Sequence, residues 1–277
     1  MTTDQIVYWN EDGGRRWASA AERTTTIFEP ITRALLDFAA PQPGERVLDV
    51  GCGSGATVLE LSRCVEPGGR VLGVDVSRVI LAKAETLVGA AGSSNVELLL
   101  ADGATHDFER AFDLVFSQFG VMFFAEPVAA FANLRRALVA GGRLAFACWR
   151  EPEANPWMTV ALEAAKPFGP PLDPIPPDAP GPFAFKDDAR VRAIVSGAGF
   201  RDVNVVRRDH RLRMGARGER AAAAHMASVG AVGRLLADVD AETKTAAIDA
   251  IHKTFERHTT GEGIVLAASV WFVSAKA

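Results

Sequence analysis

Residues 47–55 read Val-Leu-Asp-Val-Gly-Cys-Gly-Ser-Gly, and Asp75 follows the last of these glycines by 20 positions. The apolar start of the stretch predicts a buried strand, the glycines a tight turn, and the apolar periodicity of residues 58–61 a helix. Glycine permits positive φ values and lets a ligand approach the backbone. An acidic residue at the end of the next strand can accept hydrogen bonds from ribose hydroxyls. The spacing predicts a nucleotide pocket; the structural alternative is a glycine turn beside a solvated Asp.

Strands and helices alternate through the middle of the chain. The predicted strands are 46–50, 70–75, 96–101, 112–117 and 143–149, and the predicted helices between them are 55–65, 78–90 and 127–139. Such alternation is typical of an α/β fold in which helices cover both faces of a parallel sheet. A later strand is predicted near 202–208 and a final one at 264–273.

Four regions follow from this pattern. Residues 1–40 are predicted to form an N-terminal helical lid and residues 41–150 a ligand-binding core. Residues 151–190 are predicted to be a Pro-rich insertion, because ten of the fifteen prolines lie between residues 151 and 182. That composition favours extended or polyproline-like chain over helix. Residues 191–277 are expected to complete the sheet and to carry a helical lid insertion at about 215–260.

Composition narrows the classes of protein that are possible. The chain has 277 residues, 48% of them hydrophobic, and a formal net charge of −4, so it can bury a core and has no general attraction to nucleic acid or anionic membrane. No apolar run reaches the ~20 residues of a membrane span. Three irregularly spaced cysteines and five scattered histidines predict neither a disulfide framework nor a metal site. We therefore expect a cytoplasmic protein with a small-molecule substrate and no metal; no pattern predicts its oligomeric state.

Three motifs together carry a family resemblance: the glycine turn with Asp75, the segment Leu-Leu-Leu-Ala-Asp-Gly at 98–103, and Phe-Asp-Leu-Val-Phe-Ser-Gln at 112–118. With them the chain resembles the class I S-adenosylmethionine-dependent methyltransferases. Within that superfamily it is similar to the small-molecule branch that includes the ubiquinone and menaquinone biosynthesis C-methyltransferases. The resemblance is close over residues 40–150. It implies a doubly wound, Rossmann-like α/β fold with a seven-stranded, mostly parallel sheet, an antiparallel last strand and helical lid elements.

The resemblance also implies a cofactor, S-adenosyl-L-methionine, with S-adenosyl-L-homocysteine as the product, and a role for each motif residue. The glycine turn would pass under the methionine part and Asp49 would lie near its amino group. Asp75 would bind the ribose hydroxyls, while Asp102 would address the adenine amino group. The implied cofactor-binding residues are Asp49, Gly51, Cys52, Gly53, Gly55, Asp75, Val76, Asp102, Gly103, Ala104, Ser117 and Gln118.

Other functions stay open. Residues 51–56 also fit GxGxxA, the fingerprint of NAD(P)- and FAD-dependent oxidoreductases. Asp49 argues against that reading, because a carboxylate repels a pyrophosphate but attracts an ammonium. An RNA or protein methyltransferase is a second alternative. Seven arginines between residues 201 and 220 would be its footprint, yet no aromatic residues interleave with them. A non-catalytic S-adenosylmethionine-binding protein is the third.

Methyl transfer from a sulfonium needs a base only if the acceptor atom must lose a proton. Tyr8, the single tyrosine, and His225 are the candidates, although such residues more often orient substrate or support structure. Several aromatic residues lie on segments that leave the sheet at its ligand-binding edge, and they predict an apolar pocket under a lid. The predicted substrate-pocket residues are Tyr8, Trp9, Trp17, Phe119, Phe123, Trp149 and Trp157.

Overall fold

The computed structural model describes residues 1–172, 176 and 179–277. Its strands are β1 (Arg46–Val50), β2 (Arg70–Asp75), β3 (Val96–Leu100), β4 (Phe112–Gln118), β5 (Leu138–Trp149), β6 (Arg201–Gly215), β7 (Thr259–Thr260) and β8 (Gly263–Lys276). Its helices are α1 (Thr3–Asn10), α2 (Asp12–Ala39), α3 (Ala56–Cys64), α4 (Arg78–Ala91), α5 (Pro127–Ala137), α6 (Pro156–Ala165), α7 (Asp188–Gly197), α8 (Arg220–Met226), α9 (Gly230–Leu235) and α10 (Ala241–Glu256).

The strands form one sheet in the order β3-β2-β1-β4-β5-β8-β6. The pairings from β3 to β5 are parallel, and β8 is antiparallel to both β5 and β6. The predicted α/β fold with an antiparallel last strand is confirmed. The expected count of seven strands is wrong by one, because the two-residue strand β7 pairs with the start of β8 and makes the sheet eight-stranded.

Boundaries agree where a clear stop signal exists. Strands β1 and β2 occupy the predicted residues. Strand β5 begins at Leu138 rather than at residue 143, because Leu138 already pairs with Phe112 before the chain passes Gly141 at φ +82°. Strand β6 extends to Gly215, beyond the expected residue 208, since its second half pairs with β8 along Asp209–Gly215. Long-range pairing of this kind leaves no local signal.

In the Pro-rich region the structure contradicts the expected extended chain at one segment, and the rest of the expectation falls partly on residues outside the described ones. An extended conformation is wrong for Pro156–Ala165, which is helix α6. Pro156 stands in the first turn of that helix, where the missing N–H costs no hydrogen bond. The densest proline run, residues 170–177, lies partly outside the described residues. The helical insertion predicted at about 215–260 is divided into α8, α9 and α10.

The helices form two layers on the sheet and a cap at one edge of it. Helix α3 packs against α2 and α4, and α5 packs against α7; right-handed crossovers place these two groups on opposite faces of the sheet. Helix α6 contacts α8, α9 and α10, and α9 also contacts α2. These last helices, with α1, stand over the carboxyl ends of the strands. No helix among the described residues is long and apolar enough to cross a bilayer.

Candidate functional site

The glycine turn follows β1, which lies between β2 and β4 where the strand order reverses. Ligands of open α/β sheets bind in the crevice at this point. The three glycines have different tasks. A Cβ on Gly51 would lie 2.8 Å from Gly120 Cα, and one on Gly55 2.9 Å from Ala84 Cβ, so both permit close packing. Gly53 has φ +57° and open space beside it. We expected a ligand to approach the backbone along the whole turn. Of the three glycines, Gly53 is the one that leaves space for such an approach.

Asp49 is fully buried at the end of β1. Its Oδ2 accepts a hydrogen bond from Thr57 Oγ1 at 2.5 Å, whereas its Oδ1 is buried with no hydrogen-bond partner. Burial raises the pKa of Asp49 to about 7; the Thr57 hydroxyl opposes this rise and the charge of Asp75 adds to it. A buried carboxyl oxygen without a partner is costly. A cationic group placed beside it would supply the missing partner.

Asp75 closes β2 and organises the turn. Its Oδ2 accepts from the Gly53 amide at 2.9 Å and its Oδ1 from the Ser77 amide at 2.8 Å. Burial raises the pKa of Asp75, and these amide hydrogen bonds oppose the rise. Each oxygen keeps a second lone pair, so the carboxylate can still accept hydrogen bonds from a diol. The adjacent Cys52 is buried, and burial with two nearby carboxylates raises the pKa of its thiol, which is therefore protonated at neutral pH.

A cavity of about 120 Å³ continues from Asp75 to the end of β3. Asp102 lines it, accepting the Ala104 amide on Oδ1 at 2.9 Å and the Met1 ammonium on Oδ2. A Cβ on Gly103 would lie 2.8 Å from Val50 Cγ1, so a side chain at this position would force Val50 to move. Val76 and Gly103 also line this cavity, and Ala104 lies beside it through its amide.

Strand β4 brings two polar residues to the same crevice. Ser117 is fully buried, donates to the Val50 carbonyl at 2.7 Å and accepts the Gly120 amide at 3.2 Å. Its side chain thus joins β1 to the turn after β4. Gln118 lines the larger cavity described next, and its Oε1 is buried without a partner. Of this predicted pair, Gln118 is the residue whose polar atom is still available.

A larger cavity, of about 310 Å³, adjoins the glycine turn. Gly51, Cys52 and Ser54 line one part of it, and helices α2, α6 and α9 supply much of the rest. Six of the seven aromatic residues predicted for the substrate pocket line it, namely Trp9, Trp17, Phe119, Phe123, Trp149 and Trp157. Trp9, Gly51, Ile80, Phe119 and Phe123 line both cavities. The two spaces are therefore adjacent compartments of one crevice.

Phe119 is held in an unusual conformation between the compartments. Its φ is +65°, a region that costs about 1–2 kcal/mol for a residue with a Cβ. Its ring stacks on Trp149 with centroids 4.0 Å apart and planes at 10°. Phe28 contacts Phe119, Trp149 and Trp157. Strained backbone of this kind is concentrated at functional sites, and here it places an aromatic wall beside Gln118.

The two candidate bases do not line either cavity. The ring of Tyr8 packs edge-on against Trp9 at 5.2 Å, and a Cβ on Gly13 would lie 2.4 Å from its Cζ. His225 is buried in α8, where burial and the nearby Arg23 lower its pKa to about 4. Its neighbour Met226 lines the larger cavity instead. A base role for Tyr8 or His225 stays a prediction, because neither side chain lines a cavity where an acceptor could bind.

Several residues on or near the crevice were not foreseen from the sequence. Phe28 belongs to the buried stripe of α2 with Ile27, Ile31 and Leu35, so helical periodicity could have indicated it. Asn10 was missed as well: its Nδ2 donates to the Val76 carbonyl at 2.9 Å and its Oδ1 accepts the Arg78 amide at 2.9 Å. It fastens α1 to the loop after Asp75. Arg234, a single charge in an apolar segment, lines the larger cavity.

The strand order is that of a doubly wound, Rossmann-like α/β sheet, with the glycine turn and the acidic ends of three neighbouring strands at one edge. Residues 47–142 match the protein family described as "Methyltransferase domain". The match contains the glycine turn, Asp75 and Asp102, so the segment that carries the sequence motifs is similar to a methyltransferase domain.

Two curated proteins are similar in sequence to part of this chain. Aklanonic acid methyltransferase DauC of Streptomyces sp. (strain C5) is 38% identical over 121 residues, which are 43% of this chain and 55% of that protein. Demethylmenaquinone methyltransferase of Corynebacterium kroppenstedtii is 28% identical over 187 residues, 64% of this chain and 76% of that protein. The chain matches about half the length of the first of these relatives.

The fold also matches a solved structure over the full chain. Phosphoethanolamine N-methyltransferase 2 of Haemonchus contortus, in complex with phosphomonomethylethanolamine and S-adenosylhomocysteine, gives a TM-score of 0.59 at 18% identity. The match covers 100% of this chain and 60% of that one. At this identity the comparison supports the fold alone.

Proposed function

We propose that this protein transfers the methyl group of S-adenosyl-L-methionine to a small, apolar or aromatic molecule by in-line displacement. The observation that carries the proposal is the larger cavity: the glycine turn lines one part of it, and Phe119, Trp149 and Trp157 line another. One crevice thus combines a nucleotide-type turn with an aromatic pocket. Such a pocket is the usual form of a small-molecule site.

The residues present fit the cofactor. The unpaired Oδ1 of Asp49 matches an ammonium group, and the free lone pairs of Asp75 match a ribose diol. Asp102, with Val76, Gly103 and Ala104 around it, matches an adenine with its amino group. Gly51, Cys52, Gly53 and Gly55 form the turn beneath, and Ser117 and Gln118 lie next to it. The cofactor supplies an activated methyl group as a sulfonium.

The chain's own part in the reaction is to position the acceptor and exclude water. The aromatic walls bind a flat molecule, and α1, α6 and α9 cover it. Two hydrogen bonds fasten the N-terminal segment to the loop after β2. Asn10 donates to the Val76 carbonyl, and the Trp9 carbonyl accepts from Ser77 Oγ. We therefore propose that residues 1–40 and the helices between 151 and 260 act as a lid that opens for ligand exchange.

The alternatives are less well supported. An NAD(P)- or FAD-dependent oxidoreductase would place a pyrophosphate near the buried Asp49, which is unfavourable. An RNA or protein substrate needs an open groove, whereas the aromatic cavity lies beneath helices. The arginines of β6 lie on its exposed side, since Arg211 and Arg213 are exposed and Leu212 and Met214 are buried. A non-catalytic binding protein is separated from an enzyme only by measuring turnover.

The test has two stages. Isothermal titration with S-adenosylhomocysteine and NAD side by side should show binding of the former; binding of NAD alone would overturn the proposal. A screen for S-adenosylhomocysteine formation over quinols, phenols, carboxylic acids, amines and thiols then identifies the acceptor class. Binding without turnover by any acceptor would favour the non-catalytic alternative.

We also propose that the protein acts in the cytoplasm on a small molecule, without nucleic acid or metal. The free thiols of Cys52, Cys64 and Cys148 support a reducing compartment. Within the described ranges no cluster of three or more His, Cys, Asp or Glu side chains could hold a metal ion. Fractionation of cells expressing the protein and metal analysis of the purified chain test these statements.

A further inference from the structure

The larger cavity has apolar and neutral polar walls with one exception. Among the described residues that line it, Arg234 of α9 is the only charged one. Its guanidinium lies 5.8 Å from the centroid of the Tyr8 ring, and it makes no ion pair with a carboxylate in the described part of the chain. Arg234 is exposed, and without a carboxylate partner its guanidinium can still donate hydrogen bonds to an anionic ligand.

A second cation adds to the positive potential at this place. A Cβ on Gly233, the residue before Arg234, would lie 3.6 Å from Arg16 Nε, so the Arg16 guanidinium lies against α9. Neighbouring arginines differ, because Arg23 is paired with Glu219 and Arg220 with Asp249. Arg234 and Arg16 thus place two positive charges on the α9 side of the cavity.

We propose that Arg234 is a specificity-determining residue that binds an anionic group of the methyl acceptor. The inference rests on the function proposed above and narrows its substrate class to flat aromatic acids: the aromatic walls take the ring system and the guanidinium takes the carboxylate. Arginine suits this task because its planar fork donates two hydrogen bonds to one carboxylate. A neutral aromatic molecule of the same shape would leave the guanidinium without that partner.

The experiment compares 2-anthracenecarboxylate with the neutral 2-anthracenecarboxamide, by fluorescence, on the full chain saturated with S-adenosylhomocysteine. We expect the wild-type protein to prefer the acid at about pH 7, where it is ionised. Arg234→Gln should reduce that preference roughly 5-fold, Arg234→Lys less, and the preference should weaken between about 0.05 M and 0.5 M NaCl. Arg217→Gln, which removes an exposed arginine elsewhere in the lid region, should change nothing.

Three results would overturn the inference: equal binding of acid and amide by the wild-type protein, equal weakening of both by Arg234→Gln, or binding of neither. Weaker S-adenosylhomocysteine binding by Arg234→Gln, with the acid preference retained, would assign the arginine to the cofactor's own carboxylate instead. Failure of the wild-type protein to bind S-adenosylhomocysteine at all would count against the proposed function and is detected before either probe is added.

Discussion

Thr57 Oγ1 donates a hydrogen bond to Asp49 Oδ2 at 2.5 Å, while the other oxygen of the same carboxyl group is buried and unpaired. The first turn of α3 thus fixes the orientation of an acid at the end of β1. Only one of the two carboxyl oxygens has a hydrogen-bond partner, and burial of the group raises its pKa to about 7. Both the stability of the protein and its affinity for a cationic ligand should therefore depend on pH between about 4 and 7.

The first prediction concerns stability. The pKa of Asp49 is higher in the folded protein than in the unfolded chain, so the folded state binds the extra proton and stability falls as the pH rises from about 4 to 7. Asp49→Asn removes this dependence. The melting temperature of the variant relative to wild type should increase over that range and level off above about pH 7. A constant difference across the range would contradict the assignment. Thr57→Val, which removes the opposing hydrogen bond, should raise the pKa of Asp49 further and extend the fall in stability to higher pH.

The second prediction concerns the cofactor. An ammonium placed beside Asp49 favours the carboxylate, so S-adenosylhomocysteine binding at about pH 6 should release a proton from this group. Titration calorimetry in two buffers of different ionisation enthalpy measures that proton. Asp49→Asn should abolish the release and weaken binding by on the order of 10-fold. Release that persists unchanged in the variant would show that another group titrates.

The third prediction uses the conformation of Phe119. Phe119→Ala and Phe119→Gly both remove the ring stacked on Trp149, but only alanine keeps a Cβ at φ +65°. The glycine variant should therefore be more stable than the alanine variant by about 0.5–1 kcal/mol in urea unfolding. At Phe123, in the 3₁₀ turn Val121–Phe123, the order should reverse, with alanine the more stable. The same order at both positions would show that Phe119 is unstrained.

The fourth prediction separates the glycines of the turn. Gly55→Ala forces a Cβ to within 2.9 Å of Ala84 Cβ at φ +89°, so it should destabilise the fold by about 1–3 kcal/mol. Gly53→Ala meets open space and should cost less stability. Gly53→Val should instead block S-adenosylhomocysteine, because its side chain enters the space beside the turn. Normal cofactor binding by Gly53→Val would refute the close approach at this residue.

The core of the fold was predictable because its signals are local. Strand β1 ends just before Gly51 and β2 ends at Asp75. The helices that follow begin after Gly55, after Ser77 and at Pro127. The Pro-rich region was not, since Pro156 can either begin a helix or interrupt one and only its neighbours decide. The same holds for β6, whose second half exists through pairing with β8.

The amino-acid sequence by itself determined the α/β class of the fold and the residues at the ends of β1, β2 and β3, because spacing along the chain dictates which side chains meet at one sheet edge. Only the tertiary structure decided which of them keep free atoms. Ser117 donates its hydroxyl to the Val50 carbonyl, whereas Asp49 Oδ1 has no partner. Tyr8 and His225 do not line the larger cavity, but Arg234 does. These outcomes depend on packing between residues far apart in the chain, which no local pattern records.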